Sequence, residues 1–431
     1  MTNAFSSCLS QGIRFYHRTY VLRELPWQKM LSVSLMLVLP FVMGWTPALA
    51  DNDVTATENA EDEEDPITSQ TGDTIEVTAP NEIVPDAFAQ KIQKKGQQLV
   101  DQAYEMTKTA QQVEDFQQII DICKQAMLDE LSDVHLQYTK RLMSWAHNKR
   151  GEARADEASE VAVEGDSQRA LELDELALND FEISILLDKT RWRSYHNRGV
   201  SFALRGDYEK ATRDFEKTIE LNPGYVNAWF NLGEISYDTG EYDQAIEKYD
   251  EVIRLRPKDA EAYRGRANSY SGLRLYRKAL SDFDKAVTLD PENAVSLAER
   301  ADTYSHLGDW RNAAANYRQA IELNENLGRA YQGAAWIMAT CPVQNFRDKD
   351  RALKAASRAI ELDGDQDFRY LDTLAAAHAA NENYEEAISY MEQAIDVAPE
   401  LEREQLEKRR TLYESAKPYR QASRLKRATR S

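Results

Sequence analysis

The chain has 431 residues, with 73 Asp and Glu against 53 Lys and Arg, and a net charge of −20. An apolar fraction of 42% excludes wholesale disorder, and the acidic balance excludes a general phosphate-backbone binder, so no nucleic-acid partner is expected. Three cysteines exclude a disulfide-stapled scaffold, and 17 Gly with 12 Pro read as helix-rich rather than strand-and-turn-rich.

Length alone suggests about three domains at about 150 residues each, but the charge is divided by segment. Residues 1–50 carry Arg14, Arg18, Arg23 and Lys29 ahead of an apolar run, Met30 to Trp45, and end in Ala48-Leu49-Ala50. This is the order of an export signal, with small residues where a signal peptidase cuts. The expectation is a periplasmic or secreted protein cleaved after Ala50. The alternative is an inner-membrane anchor formed by residues 30–45, a run short for a span of about 20 residues. Residues 51–85 follow as an acidic linker: residues 51–90 hold twelve acids and no Lys or Arg. Such a stretch buries too little to order itself and is extended by self-repulsion. Within it, Gly72 to Ala79 has β propensity and resembles the Ton box of outer-membrane receptors, although no barrel follows.

From residue 86 to 190 the reading is helical, with degenerate repeats. Phe116, Ile119, Cys123 and Ala126 share one helical face. His147 to Gly151 imitates Tyr195 to Gly199, and Ala177 to Phe181 imitates Ala211 to Phe215. About 14 residues near Ala155–Gln168 exceed the later spacing, and either lengthen the helices or loop out.

From 191 to 399 the period is explicit. Pro223, Pro257 and Pro291 are 34 apart, as are Ala211, Ala245, Ala279 and Ala313, and Phe215, Tyr249, Phe283 and Tyr317. Tyr195, Gly199 and Phe202 share one helical face, and Ala211, Phe215 and Thr218 share another. Gly206-Asp207 ends the first helix and Asn222-Pro223 the second. A single hairpin of this kind cannot cover its own apolar face, so neighbours must stack.

This pattern resembles the tetratricopeptide repeat (TPR), which implies an all-α, right-handed superhelical solenoid of antiparallel helix pairs. Six units are read. Four start near Trp192, Val226, Ala260 and Ala294. The fifth, from Gly328, is irregular, with an insertion at 341–350 after AAWIMATCP, a segment similar to an irregular repeat of exported bacterial TPR proteins. The sixth recovers the pattern at Leu371, Ala375, Tyr384, Ala387 and Pro399. Residues 400–416 read as a capping helix, with Leu401, Leu406 and Tyr413 turned inward. Residues 417–431 read as a basic disordered tail, suited to weak contact with an anionic surface.

No catalytic or cofactor motif is present: there is no GxxxxGK[ST], GxSxG, HExxH or CxxC, and the chain is not expected to be an enzyme or to carry a cofactor or metal. Asp363-Gly-Asp-Gln-Asp367 imitates the start of a calcium loop but has Phe368 and Leu374 where that loop needs Gly and Glu, so it reads as an inter-repeat turn. Cys123 and Cys341 are left open as a pair or as free thiols.

The resemblance also implies a concave groove, lined by the first helix of each pair, that holds an extended peptide or a partner helix. By position it is lined by His196, Asn197, Asn227, Phe230, Asn231, Glu234, Tyr237, Arg264, Asn268, Asp302, His306, Arg329, Gln332 and Trp336. Asn amides suit a peptide backbone, and Phe230, Tyr237 and Trp336 suit anchoring. The carboxylate clamp of the chaperone-binding subclass is matched only at Asn231; Val200, Glu261 and Gly265 depart from it. Taken together, the expectation is an exported scaffold in a bacterial cell-envelope complex. The alternative is a membrane-tethered assembly factor or an accessory subunit of an envelope enzyme.

Overall fold

The computed structural model describes residues 87–422; the export signal, the linker and the tail beyond 422 lie outside the described residues. Among the described residues there are seventeen α-helices, one 3-10 turn and no strand. No described helix is long and apolar enough to cross a membrane. The contacts divide the chain into two units, Met1–Ala228 and Trp229–Ser431.

The first unit holds α1 (Ala87–Thr107), α2 (Val113–Ala126), α3 (Asp133–Val163), α4 (Ser167–Leu187), α5 (Trp192–Leu204) and α6 (Tyr208–Leu221), with α7 (Val226–Asp238) beginning at its end. The helices pack as successive pairs, α1 on α2, α3 on α4 and α5 on α6. Phe116, Ile119, Ile120 and Cys123 of α2 close on Leu142, Trp145 and Ala146 of α3, with the Phe116 and Trp145 rings edge to face at 5.8 Å. The residues near 155–168 lengthen both helices of the α3–α4 pair, which has 31 and 21 residues where α5 and α6 have 13 and 14. Glycine shows that the two pairs are built alike. A methyl on Gly151 would meet the Phe181 ring at 2.6 Å, and one on Gly199 would meet the Phe215 ring at 2.9 Å. Only with no side chain there does the second helix bring its ring against the backbone of the first.

The second unit continues with α8 (Tyr242–Leu255), α9 (Ala260–Gly272), α10 (Tyr276–Leu289), α11 (Ala294–Leu307), α12 (Trp310–Leu323), α13 (Gly328–Thr340), α14 (Lys349–Asp363), α15 (Phe368–Ala380), α16 (Tyr384–Val397) and α17 (Glu400–Glu414). The alanines of the repeat, Ala245, Ala279, Ala313 and Ala387, are fully buried, since close helix approach leaves no room for more. Asp259, Asn293, Asp309, Asp348 and Asp367 each cap a helix by accepting an amide hydrogen bond. The fifth pair is joined by a longer turn, Cys341–Asp348, that contains the 3-10 turn Gln344–Phe346 and buries Cys341. First helices touch one another directly, α9 with α11, α11 with α13 and α13 with α15, and so form one layer.

Two expectations are corrected here. Leu401 is 91% exposed, because the inward face of α17 is carried by Leu406 and Tyr413. The tail is not disordered from residue 417: Lys417 to Ala422 follow α17 in defined positions and bond back to α13. Asp363 and Asp367 are occupied within the protein, Asp363 accepting from the Tyr370 hydroxyl and Asp367 pairing with Arg369. Cys123 and Cys341 are both free and buried, and burial pushes the Cys123 thiol up to about 12.

Candidate partner-binding face

In the first unit the residues expected to line the groove are largely internal. His196 is 2% exposed, with its ring 5.6 Å from Phe215 and 4.9 Å from Tyr225. Burial lowers its pKa to about 4, so at neutral pH it is an uncharged ring in an aromatic cluster. Asn227 is also buried and donates to the Tyr225 hydroxyl. Asn197 donates to Asn148 Oδ1 at 3.2 Å and to Glu152 Oε1 at 2.8 Å. Nearby, the buried Asp180 accepts from His147, Arg150 and Arg154.

The second unit is different. Its first helices present a continuous row of polar side chains, and Glu299 of α11 is the hub. This carboxylate is 3% exposed and accepts from Asn268 at 3.1 Å and Arg329 at 3.0 Å, with Arg264 at 3.5 Å. Arg264 also pairs with Glu261, and Arg329 with Asp302 at 2.7 Å. Asp302 accepts from the Tyr317 hydroxyl, and Glu234 of α7 accepts from the Tyr249 hydroxyl. Burial pushes the Glu234 carboxyl up to about 7, although the Tyr249 hydrogen bond opposes the shift. It pushes the Tyr237 phenol up to about 12, with the Glu299 charge adding to the effect.

Phe230, expected as an anchor, is 1% exposed and meets Tyr249 edge to face at 5.7 Å. It belongs to the core, because its helix turns this position toward the second helix of the pair. Asn231 is buried as well. The accessible part of the face is narrower than expected: Glu234, Tyr237, Asn268, Asp302, Arg329, Gln332 and Trp336 are half-buried, and His306 is exposed and stacked on Tyr276 at 4.6 Å. On α13, Arg329, Gln332, Trp336 and Thr340 fall on one stripe by steps of three and four. Gln332 reaches Thr373 of α15 at 2.7 Å.

The stripe is partly covered from within the chain. The Tyr419 ring lies 5.9 Å from the Trp336 ring, and the Arg409 guanidinium sits 5.3 Å from Trp336 and 5.0 Å from Tyr419. Arg409 is held there by Asp372. Glu299, Thr340, Arg409 and Tyr419 were not singled out from the sequence. Glu299 had a signal, since it lies two 34-residue steps beyond Asn231; the others had none. Among the described residues no three His, Cys, Asp or Glu side chains are grouped so as to hold a metal ion.

Comparison with known proteins matches the repeats. Tetratricopeptide repeat profiles match residues 197–260, 237–294, 294–327 and 368–401. Over these segments the chain is built of tetratricopeptide repeats. No curated protein matches it. Among solved structures, YrrB, described as a TPR protein with an unusual peptide-binding site, is 26% identical over 45% of this chain and 97% of its own, with a TM-score of 0.33. A tetratricopeptide repeat protein of Parabacteroides merdae is 14% identical over 61% of this chain and 98% of its own, with a TM-score of 0.46. MamA of Desulfovibrio magneticus is 23% identical over 41% of this chain and 95% of its own, with a TM-score of 0.35.

Proposed function

We propose that the chain is an exported, non-catalytic scaffold that binds another protein of a bacterial cell envelope on the first-helix face of its second unit, through an extended peptide or a partner helix. The observation that carries this reading is the half-buried stripe of α13, where Arg329, Gln332 and Trp336 join a charge, an amide and a large ring along one line. Amides and guanidinia bond a peptide backbone or carboxylate, and a half-buried Trp supplies the apolar area that dominates such interfaces. The buried Arg264 and Glu299 hold the row in place rather than contact a partner.

The test is affinity capture of envelope proteins with the wild type and an Asn268→Ala/Gln332→Ala/Trp336→Ala variant, whose changed side chains are all half-buried. The variant is expected to fold with an unchanged circular dichroism spectrum and to lose the partners. Equal capture by both proteins overturns the assignment of the face. Export is supported by the order of basic segment, apolar run and small residues that ends at Ala50. N-terminal sequencing of the mature protein is expected to start at Asp51; an intact residue 30–45 segment would favour the membrane-tethered assembly factor instead. Beyond Ala422 the chain adds Arg424, Lys426, Arg427 and Arg430, a charge cluster suited to an anionic surface.

A further inference from the structure

After α17 ends at Glu414, the chain reverses. Ala416 takes a φ of +53°, a left-handed conformation that alanine rarely adopts. The amide of Lys417 then bonds the Leu412 carbonyl at 2.9 Å. From there residues 417–422 run without helical structure across the C-terminal end of α13. The last carbonyls of a helix have no partner inside it. At α13 the Asp348 amide takes the Met338 carbonyl at 3.1 Å, and the returning segment takes the two carbonyls that follow. The Gln421 amide donates to the Thr340 carbonyl at 2.9 Å, the Gln421 side chain to Thr340 Oγ1 at 2.7 Å, and the Arg420 guanidinium to the Ala339 carbonyl at 2.8 Å. Tyr419 completes the site beside Trp336 and Arg409.

We propose that Lys417–Gln421 is a built-in occupant of the first-helix face, and that the partner of this face is an extended peptide with a tyrosine followed by basic and amide residues, which competes with the segment for Trp336 and Thr340. The inference rests on the scaffold reading and specifies its ligand. Burial separates this segment from the cap that precedes it. Leu406 and Tyr413 of α17 are each 1% exposed and belong to the core, whereas Pro418, Tyr419 and Gln421 are half-buried and Lys417 and Arg420 are exposed. The segment is therefore held by one ring and three hydrogen bonds, a small set that an intermolecular peptide can replace. The first-helix layer of this unit is near charge balance, with Glu234, Asp238, Glu261, Glu299, Asp302 and Asp372 against Arg264, Arg266, Arg300, Arg329 and Arg369, so the ring and the hydrogen bonds, not net charge, hold the segment. A tethered occupant acts at millimolar effective concentration, so it sets the affinity that a partner must exceed.

The probe is a fluorescein-labelled synthetic peptide of residues 415–424 of this chain, read by anisotropy against the full-length protein. A Tyr419→Ala/Arg420→Ala/Gln421→Ala variant, with the face vacated, is expected to bind it about tenfold or more tightly than wild type, because the apparent Kd scales inversely with the open fraction. Adding Trp336→Ala is expected to abolish that gain. In the wild type, excess unlabelled peptide is expected to speed hydrogen exchange of the Gln421 amide, which the Thr340 carbonyl holds, a readout that does not depend on the variant folding. Equal binding by wild type and vacated variant overturns the proposal. So does the absence of both peptide binding by a folded vacated variant and any acceleration of that exchange. A wild-type dimer that becomes a monomer when Tyr419 is replaced also overturns it, since the tail would then dock on a second copy. Should the peptide result fail while the Asn268/Gln332/Trp336 variant still loses its partners, only the tail inference falls. Loss of neither sinks the scaffold reading itself.

Discussion

Two tyrosines tie the core of the second unit to its polar face. Tyr249 and Tyr317 leave the second-helix core and place their hydroxyls on Glu234 and Asp302. That reach passes over glycine: a methyl on Gly265 would lie 2.5 Å from Tyr249 Cζ, and one on Gly333 would lie closer still to Tyr317. Where the ring is Phe283, the residue 16 positions on is Glu299, which has a side chain. Gly265→Ala and Gly333→Ala are therefore expected to cost about 1–3 kcal/mol each by overpacking, measured by urea unfolding. Loss below about 0.5 kcal/mol at both would show that the rings move aside. One buried group in each unit titrates in the opposite sense to the other. His196 falls from 6.5 to about 4 on folding because burial disfavours its charged form, so its contribution is present above pH 6.5 and is lost as pH falls toward 4. Glu234 rises from 4.5 to about 7 for the same reason, so its contribution is full below pH 4.5 and is lost as pH rises toward 7. His196→Gln is expected to flatten the acid-side loss of the first unit, and Glu234→Gln the neutral-side loss of the second. Melts from pH 4 to 8 followed by amide hydrogen exchange, which resolves the units, are the check; unchanged pH slopes would remove both assignments.

At the scale of the element, helix ends follow the same 34-residue step as the core. Gly206, Gly240 and Gly308 all have φ near +80° where the first helix of a pair stops. The corresponding position in the third pair is Arg274, with φ +59°, and Glu382 does the same in the sixth at +68°. A side chain in that conformation costs about 1–2 kcal/mol, part of which glycine returns through unfolded-chain entropy. Arg274→Gly and Glu382→Gly are each expected to stabilise by about 0.5–1 kcal/mol, read as a higher urea midpoint with an unchanged slope. A lower midpoint would mean that the side chains contribute more than their backbone costs. The last element has the opposite task. Leu406 and Tyr413 of α17 cover the apolar side of α16 around Ala387, Met391 and Ala394, as an end cap must in a repeat array.

Across the second unit, most contacts join neighbouring helices or the first helices of successive pairs, so a local loss should stay near its site. Leu406→Ala is expected to cost about 2–5 kcal/mol at the cap and to lower hydrogen-exchange protection in α15 to α17 while leaving α9 to α12 unchanged. A uniform loss would mean that the unit unfolds as one. The repeat was legible because its signals are local: Gly199, Ala211 and Phe215 recur at fixed spacing, and a period of 34 is visible in one dimension. The face was legible only in part. Helical spacing placed Arg329, Gln332 and Trp336 on one line, but it could not tell an exposed position from one turned toward its partner helix, which is why Phe230 and His196 were misplaced as accessible. Nor could it show that Glu299 gathers Asn268 and Arg329 from two other helices, or that Tyr419, 83 residues after Trp336, comes back to lie beside it. The helix pairs and their step are set by near-neighbour patterns written in the chain. Which side chains remain open to a partner depends on long-range packing and on where the C-terminal segment returns, and those contacts exist only once the helices have stacked.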